Sequence, residues 1–155
     1  MSEPESEGPR GFASRVFAHM SAAGMVLANG PNLVIFDSER FDSLGEYDVA
    51  TGLFTARRAG YYSVESSLYV NNPGPGNPFI SAFLTSDGAV TPAVAIAHDY
   101  RQIFANMNNA MHLHALYHLK PGDFVCVVVF AVVPPALTLG DAIVDRTHFS
   151  IQRVS

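Results

Sequence analysis

The sequence predicts an all-β fold in which short antiparallel strands form a sandwich or barrel, and three observations support it. Short runs rich in Val, Ile, Phe and Tyr follow one another from residue 11 onwards. Turn residues separate these runs, as Pro, Gly and Asn do over 71–78 and Pro, Gly and Asp do over 120–123. Two of the runs alternate residue by residue with the period of a strand. Many short strands at this spacing indicate packed antiparallel sheets rather than an α/β array.

Strands are predicted wherever such a run lies between two turns. In chain order the runs are 33–36, 61–70, 79–85, 110–119, 124–133 and 148–154. The segment 16–28 is interpreted as strand and turn, because Gly24 and the lack of charged residues argue against a helix. Residues 1–10 are rich in Glu, Ser, Pro and Gly and are predicted to form a flexible acidic tail. Residues 11–155 suffice for one domain with its own core.

The composition favours extensive burial and argues against two classes of partner. Hydrophobic residues make up 48% of the chain and charged residues 15%, which argues against disorder and suggests that some apolar surface is buried between subunits. The net charge of -5 argues against a nucleic-acid partner held through its phosphates. The longest apolar run, 124–136, is interrupted by prolines and is too short for insertion across a membrane.

The predicted strand 110–119 carries an unusual cluster of histidines. Side chains two positions apart on a strand point to the same side. His112, His114 and His118 therefore share one face of this strand.

The stretch from Tyr47 to Thr55 carries a recognisable motif. It reads Tyr-Asp-Val-Ala-Thr-Gly-Leu-Phe-Thr, and Ala59-Gly60-Tyr61-Tyr62 follows. This block resembles the hallmark segment of complement-subcomponent-q globular heads, which are part of the tumour-necrosis-factor-like superfamily. Weaker matches, in family order, cover nearly the whole chain after residue 10: Gly11–Val16, Phe36-Asp37, Asp99–Gln102, Leu119–Asp123 and His148–Ser150. The resemblance implies a ten-stranded antiparallel jelly-roll sandwich that assembles as a homotrimer.

Four residues of the block have structural roles in this interpretation. Gly52 follows Thr51 in a tight turn, where glycine reaches φ > 0 without steric cost. Phe54 and Tyr62 bring large rings into the core between the two sheets. Gly60 lets the chain bend into its longest strand.

The resemblance also implies a function and a location. A non-enzymatic recognition or adhesion head is expected, with a protein or a glycan bound at the outer surface or apex of the trimer. An extracellular or particle-surface location is implied, although the acidic start of the chain lacks the features of a secretory signal peptide. Cys126 is the single cysteine, which excludes an internal disulfide and leaves the compartment open.

By parity with the family, polar side chains from three strands would meet at the threefold axis of the trimer. They are Ser63, Glu65, Ser67, His112, His114, Leu116, His148, Ser150 and Gln152. Imidazole and carboxylate groups suit Zn²⁺ or a similar metal, so Glu65, His112, His114 and His148 are candidate metal ligands. The alternative is a polar interface in which the same side chains hydrogen-bond to one another. Neither interpretation requires a cofactor.

Two further sites are candidates. His112-Leu113-His114 also fits the start of the metal motif of cupins, which are jelly-roll metalloenzymes. However, His118 stands where cupins have an acidic ligand, and no histidine follows Pro121-Gly122 until His148. A cupin-like metalloenzyme is therefore the alternative function. Asp99 matches the family's apical calcium region and is a candidate calcium ligand, the other interpretation being a surface turn.

Overall fold

The computed structural model describes residues 13–21, 24–86, 94–132, 137–140, 143 and 146–155. The tail predicted for residues 1–10 and the predicted start of the domain at Gly11 lie outside these ranges. Among the residues within them, no helix is long and apolar enough to cross a membrane.

The described part of the chain forms thirteen strands. In chain order they are β1 (Arg15–His19), β2 (Met25–Val26), β3 (Gly30–Leu33), β4 (Ser38–Asp42), β5 (Tyr47–Asp48), β6 (Leu53–Thr55), β7 (Gly60–Asn72), β8 (Phe79–Thr85), β9 (Ala95–Gln102), β10 (Met107–Leu119), β11 (Phe124–Ala131), β12 (Thr138–Leu139) and β13 (His148–Arg153).

The first sheet is built around β7. β10 pairs with β7 along its whole length, from Met107 opposite Asn72 to Leu119 opposite Gly60. The other edge of β7 pairs with β13 and, towards its end, with β12. β1 lies beside β13, β4 beside β1, and β2 beside β12.

The second sheet is built around β11. One edge of β11 pairs with β8, and β9 lies outside β8. The other edge pairs with β6 at the start of β11 and with β3 at its end, and β5 lies outside β6. All the pairings in both sheets are antiparallel, which confirms the predicted all-β antiparallel sandwich.

One core fills the space between the sheets. The alternation of each strand decides which side chains enter it. Val64 and Leu68 of β7, Met111 of β10, and Val125 and Val127 of β11 are all at most 1% exposed. The two long alternating strands thus turn their apolar sides inward and their polar sides outward.

Aromatic rings form a connected group within this core. Phe54 meets Tyr62 edge to face, with ring centroids 5.8 Å apart. Phe149 stacks on Phe36 at 6.0 Å and on Tyr47 at 5.7 Å. The hydroxyls of Tyr62 and Tyr47 each form a hydrogen bond to the backbone, at 2.8 Å and 3.1 Å. Burial raises the pKa of both phenols.

The hallmark block folds as the hairpin of β5 and β6. Tyr47 pairs with Phe54, and the backbone N–H of Gly52 donates to the carbonyl of Asp48 at 2.8 Å. Gly52 has a φ of 74°, and a Cβ at this position would lie 2.6 Å from the carbonyl oxygen of Val34. Both the backbone conformation and the close approach therefore require glycine here.

Gly60 begins β7 beside the end of the chain. Its φ is 152°, and an added Cβ would overlap the carbonyl oxygen of Ser155. That same carbonyl accepts a hydrogen bond from the backbone N–H of Tyr61 at 3.1 Å. Gly60 thus permits the close contact between the start of β7 and the Ser155 carbonyl, as well as the bend of the chain into β7.

The prediction for residues 33–36 was wrong in its boundaries, because the strand is Gly30–Leu33. Pro31 suggested a turn, but among the described strands β3 pairs with β11 alone, so the missing N–H of proline is tolerated. The side chain of Asn32 is buried and donates to the carbonyl of Val129 at 3.1 Å, which ties β3 to its neighbour. Beyond the strand, Val34 and Phe36 remain buried.

Candidate functional site

Five of the six histidines in the sequence lie on the side of the first sheet that faces away from the core. We call this surface the histidine face; its members are His19 of β1, His112, His114 and His118 of β10, His148 of β13, and Glu65 of β7. The sequence placed His112, His114, His148 and Glu65 on one surface, and the strand register brings them to the same side of one sheet.

Strand register aligns one row of this face across four strands. His112 lies opposite Ser67, Ser67 lies opposite His148, and His148 lies opposite His19. Neighbouring strands are about 4.8 Å apart, so the row spans about 14 Å. Three of its four members are imidazoles.

A second row crosses the centre of the face. His114 lies opposite Glu65, which lies opposite Ser150 on its other side. The carboxylate Oε1 of Glu65 is 3.4 Å from Nε2 of His148. The ring of His148 also stacks on Phe17, with centroids 5.1 Å apart and planes at 19°. His148 is thus held in place, whereas His112 and His114 are exposed.

The face is open, and one chain does not assemble a metal site on it. Within the described ranges, no group of three or more His, Cys, Asp or Glu side chains is arranged to hold a metal ion. A zinc site made of Glu65, His112, His114 and His148 would therefore need side chains from more than one copy of the chain.

At the edge of the face, His19 lies near a hydrogen-bonded carboxylate. Asp37 accepts hydrogen bonds from the backbone N–H and the hydroxyl of Ser21, both at 2.7 Å. Burial alone raises the pKa of the Asp37 carboxyl, but these bonds and the nearby His19 outweigh it, so the pKa lies below its ordinary value. Nδ1 of His19 is buried and has no hydrogen-bond partner among the described residues.

The calcium candidate Asp99 lies in β9, an edge strand of the second sheet. Its carboxylate accepts a hydrogen bond from Nε of Arg101 at 3.0 Å. Because Asp99 and Tyr100 are consecutive on a strand, their side chains point to opposite sides. A cation at Asp99 would have to compete with the Arg101 guanidinium.

A cavity of about 400 Å³ borders the hallmark hairpin, lined in part by Glu46, Asp48, Arg57 and Phe124. The buried carboxylate of Glu46 accepts hydrogen bonds from the hydroxyl of Ser14 and from the backbone N–H of Arg57. Glu46 therefore links the segments around Ser14 and Arg57, and each of its two carboxylate oxygens already accepts a hydrogen bond.

The outward side of the second sheet carries a group of rings that we call the aromatic face, formed by Phe79, Phe83, His98, Tyr100 and Phe130. Phe79 stacks on Tyr100 with centroids 5.3 Å apart and planes at 5°. Phe83 stacks on His98 at 4.4 Å and 9°. Phe79, Tyr100 and Phe130 are 46%, 58% and 39% exposed. Four of the five rings are thus stacked in two pairs, and Phe79, Tyr100 and Phe130 remain accessible.

Cys126 is placed on this sheet as well, but it is buried. Its Sγ lies 3.1 Å from the hydroxyl of Thr85, and only 1% of the residue is exposed. This position suits a packed side chain rather than a reactive thiol.

Sequence reasoning missed His19 and the aromatic face. His19 lies two residues after Phe17, so alternation through β1 would have found it had that segment been given a register. The rings of the aromatic face come from three separate strands. Only the register of β8 with β9 and β11 brings them together.

Comparison with known proteins supports the fold. No protein-family model matches the chain, and no curated protein matches its sequence. Among solved structures, the chain is similar to the globular domain of zebrafish complement 1qA protein, with 17% identity, a TM-score of 0.62, and coverage of 92% of this chain and 98% of that one. It is also similar to Eiger TNF from S. frugiperda, with 13% identity, a TM-score of 0.65, and coverage of 92% and 93%. The chain therefore has the jelly-roll fold that these two proteins share, as the resemblance implied.

Proposed function

We propose that this chain, with its complement-1q and TNF-like jelly-roll fold, is a non-enzymatic recognition head that assembles as a homotrimer through its histidine face. The observation that carries the proposal is the open first sheet, whose outward side presents exposed Leu116 and Tyr61 among the histidines. Exposed apolar side chains on a sheet face are typical of surfaces that a partner covers.

Self-association fits the composition of this face. Leu116 is 62% exposed and Tyr61 is 50% exposed, and serines, histidines and the single carboxylate of Glu65 surround them. A threefold axis beside β7 and β10 would bring three copies of these side chains together and remove the exposed leucine from water. In this arrangement the polar groups hydrogen-bond across the interface.

The placement of the histidines supports binding rather than catalysis. His112 and His114 are exposed on the outside of the sandwich. An active site ordinarily surrounds its reacting groups and excludes water. A cupin-like metalloenzyme using His112 and His114 would lack this enclosure. The ligand in our proposal is a protein or a glycan, bound on surfaces that the trimer leaves free.

A metal at the threefold axis is a second proposal for the same face. His112, His114, His148 and Glu65 lie on one side of the sheet, and each would be tripled by the symmetry. Imidazole nitrogens and carboxylate oxygens are the ligands that zinc prefers after thiolates.

The test of the trimer is the molar mass in solution, measured by light scattering at micromolar concentration. We expect three times the chain mass of 16.7 kDa for the wild type. Leu116→Arg places three buried charges in the interface, so we expect this variant to be a folded monomer. Phe124→Arg is the control, because Phe124 is 40% exposed on the other sheet. A monomeric wild type, or a trimeric Leu116→Arg variant, would contradict the proposal.

A further inference from the structure

We infer that the aromatic face of the second sheet is a binding site for a neutral glycan. This inference rests on the proposed function, because a trimer closed through the first sheet leaves the exposed rings of the second sheet, Phe79, Tyr100 and Phe130, facing solvent. It deepens that function by naming the surface and the class of ligand.

The first argument is the charge of the face. The outward side of β3, β8, β9 and β11 also carries Pro31, Leu33, Ser81, Gln102 and Phe124, which are at least partly exposed, and Thr85, Cys126 and Val128, which are buried. None is charged at neutral pH, in a chain that carries nine Lys and Arg and fourteen Asp and Glu. Phosphates, sulfates, acidic peptides and basic peptides are recognised through charge, and the described outward side chains of these four strands include no Lys, Arg, Asp or Glu. An uncharged ligand is the complement of an uncharged surface.

The second argument is the arrangement of apolar and polar groups. Phe130, Ser81 and Tyr100 lie side by side in one row across β11, β8 and β9. Phe130 and Tyr100 are thus two strand spacings apart, or about 10 Å. A serine hydroxyl stands between the two rings, and the Gln102 amide and Tyr100 hydroxyl lie nearby. A sugar presents the same alternation, with an apolar C–H face and a rim of hydroxyls.

The third argument is that the rings of Phe79 and Tyr100 are already fixed against each other. Phe79 stacks on one side of Tyr100 and the His98 ring lies tilted beside it at 6.5 Å, yet Tyr100 remains 58% exposed, so part of its ring is accessible to a ligand. The π-face of an aromatic ring is its electron-rich side, and polarised C–H groups of a pyranose pack against it. Since folding has already ordered these side chains, binding costs little further conformational entropy.

A protein partner fits this surface less well. Protein interfaces centre on apolar anchors but are bordered by a polar rim, and arginine is enriched among their hot spots. On β9 itself, the carboxylate of Asp99 and the guanidinium of Arg101 are paired with each other at 3.0 Å, on the side of the strand opposite to Tyr100. They therefore do not form a rim around the aromatic face.

The test is electrophoresis of the full chain in native gels containing soluble neutral polysaccharides, namely hydroxyethylcellulose, glucomannan and dextran, with dextran sulfate as the charged comparison. We expect at least one neutral polysaccharide to retard the wild type and dextran sulfate to have no effect. Three sites per trimer would strengthen weak single contacts. The shortest oligosaccharide of the retarding polymer should then give saturation-transfer signals in NMR.

The variants are chosen in pairs. Phe130→Ala and Phe124→Ala remove rings from the same strand and the same side of the sheet, at 39% and 40% exposure, but about 20 Å apart along the strand. We expect Phe130→Ala and Tyr100→Ala to weaken binding about tenfold or more. Phe124→Ala should bind normally, and Tyr100→Phe, which keeps the ring, should retain most of the affinity. Melting temperatures of all four variants exclude loss of fold as the cause.

Three outcomes would overturn the inference. They are retardation by no neutral polysaccharide, equal loss of binding in Phe124→Ala, and a drop in molar mass in Phe130→Ala, which would make this face a contact between copies. Light scattering on the same samples measures the oligomeric state independently of glycan binding, so failure of the glycan site can be distinguished from failure of the proposed trimer. A trimer that binds no glycan overturns only the glycan site, and a monomer that binds glycan overturns only the trimer.

Discussion

Phe54 and Tyr62 show what single residues contribute to this fold. Both are completely buried, and their rings meet at 5.8 Å. Replacing either by alanine leaves a large cavity in the core. We expect Phe54→Ala and Tyr62→Ala each to lower the free energy of unfolding by roughly 3–5 kcal/mol. Urea denaturation followed by circular dichroism measures this.

The matched control is Tyr61→Ala, because Tyr61 is the neighbour of Tyr62 on β7 and is 50% exposed. Tyr61→Ala should lower the free energy of unfolding of the isolated chain by far less than either core substitution. Losses below about 1 kcal/mol for Phe54→Ala and Tyr62→Ala would show that these rings do not hold the sheets together.

Gly52 offers a second test at the scale of one residue. Both Gly52 and Gly122 have positive φ, 74° and 91°, but a Cβ at Gly52 would lie 2.6 Å from a carbonyl oxygen, whereas Gly122 has open space. We expect Gly122→Ala to cost about 1–2 kcal/mol, the strain of the left-handed conformation alone. Gly52→Ala should cost clearly more, as measured by denaturation. Equal losses would mean that the loop near Val34 moves away without cost.

At the scale of elements, Asp37 links the connection after β3 to the residues that follow β1. Its folded-state pKa is lowered below the ordinary value of 3.8, since the bonds from Ser21 favour the carboxylate. A lowered pKa contributes stability that is present above the unfolded pKa and is lost as the pH falls through the folded pKa. The wild type should therefore melt above Asp37→Asn at pH 7, and the difference should shrink below about pH 4.

Melting temperatures of wild type, Asp37→Asn and Ser21→Ala from pH 7 to pH 3 provide the measurement. Ser21→Ala removes one of the two donors and should fall between the other two proteins. A constant difference across this range would mean that ionisation of Asp37 does not stabilise the link.

The individual strands also show how far sequence reasoning extends. β7 and β10 were predictable because regular alternation fixes both the strand and its faces. β3 was misplaced because Pro31 and Asn32 resemble a turn when their partner strand is unknown. The rows of the histidine face depend on pairing between distant strands, which no local pattern encodes. Composition indicated buried surface, but only the register shows which side of each sheet is exposed.

At the scale of the whole molecule, the histidine face offers a test by metal addition and removal. If copies of His112 and His114 hold zinc together, added Zn²⁺ should raise the melting temperature, because a ligand that binds the assembled state stabilises it. A chelator should reverse the rise. The variant His112→Gln/His114→Gln should not respond, whereas His118→Gln, altered on the same strand, should.

Metal analysis of the purified protein supplies the second readout. One zinc for every three chains is expected. If Zn²⁺ does not raise the melting temperature of the wild type, the metal proposal is wrong. The polar interface then remains as the explanation for these histidines.

The central strand of the second sheet, β11, has a consequence for the unfolded chain. Residues 125–129 read Val-Cys-Val-Val-Val, all at most 1% exposed, so both sides of the strand are covered in the native state. Such a run, with high β propensity and neither charge nor proline, is the kind of segment that stacks between chains in aggregates. The native fold prevents this by pairing both edges of β11, with β8 on one and β3 and β6 on the other. Refolding from denaturant is thus a competition between these pairings and aggregation, in which dilution favours the native protein.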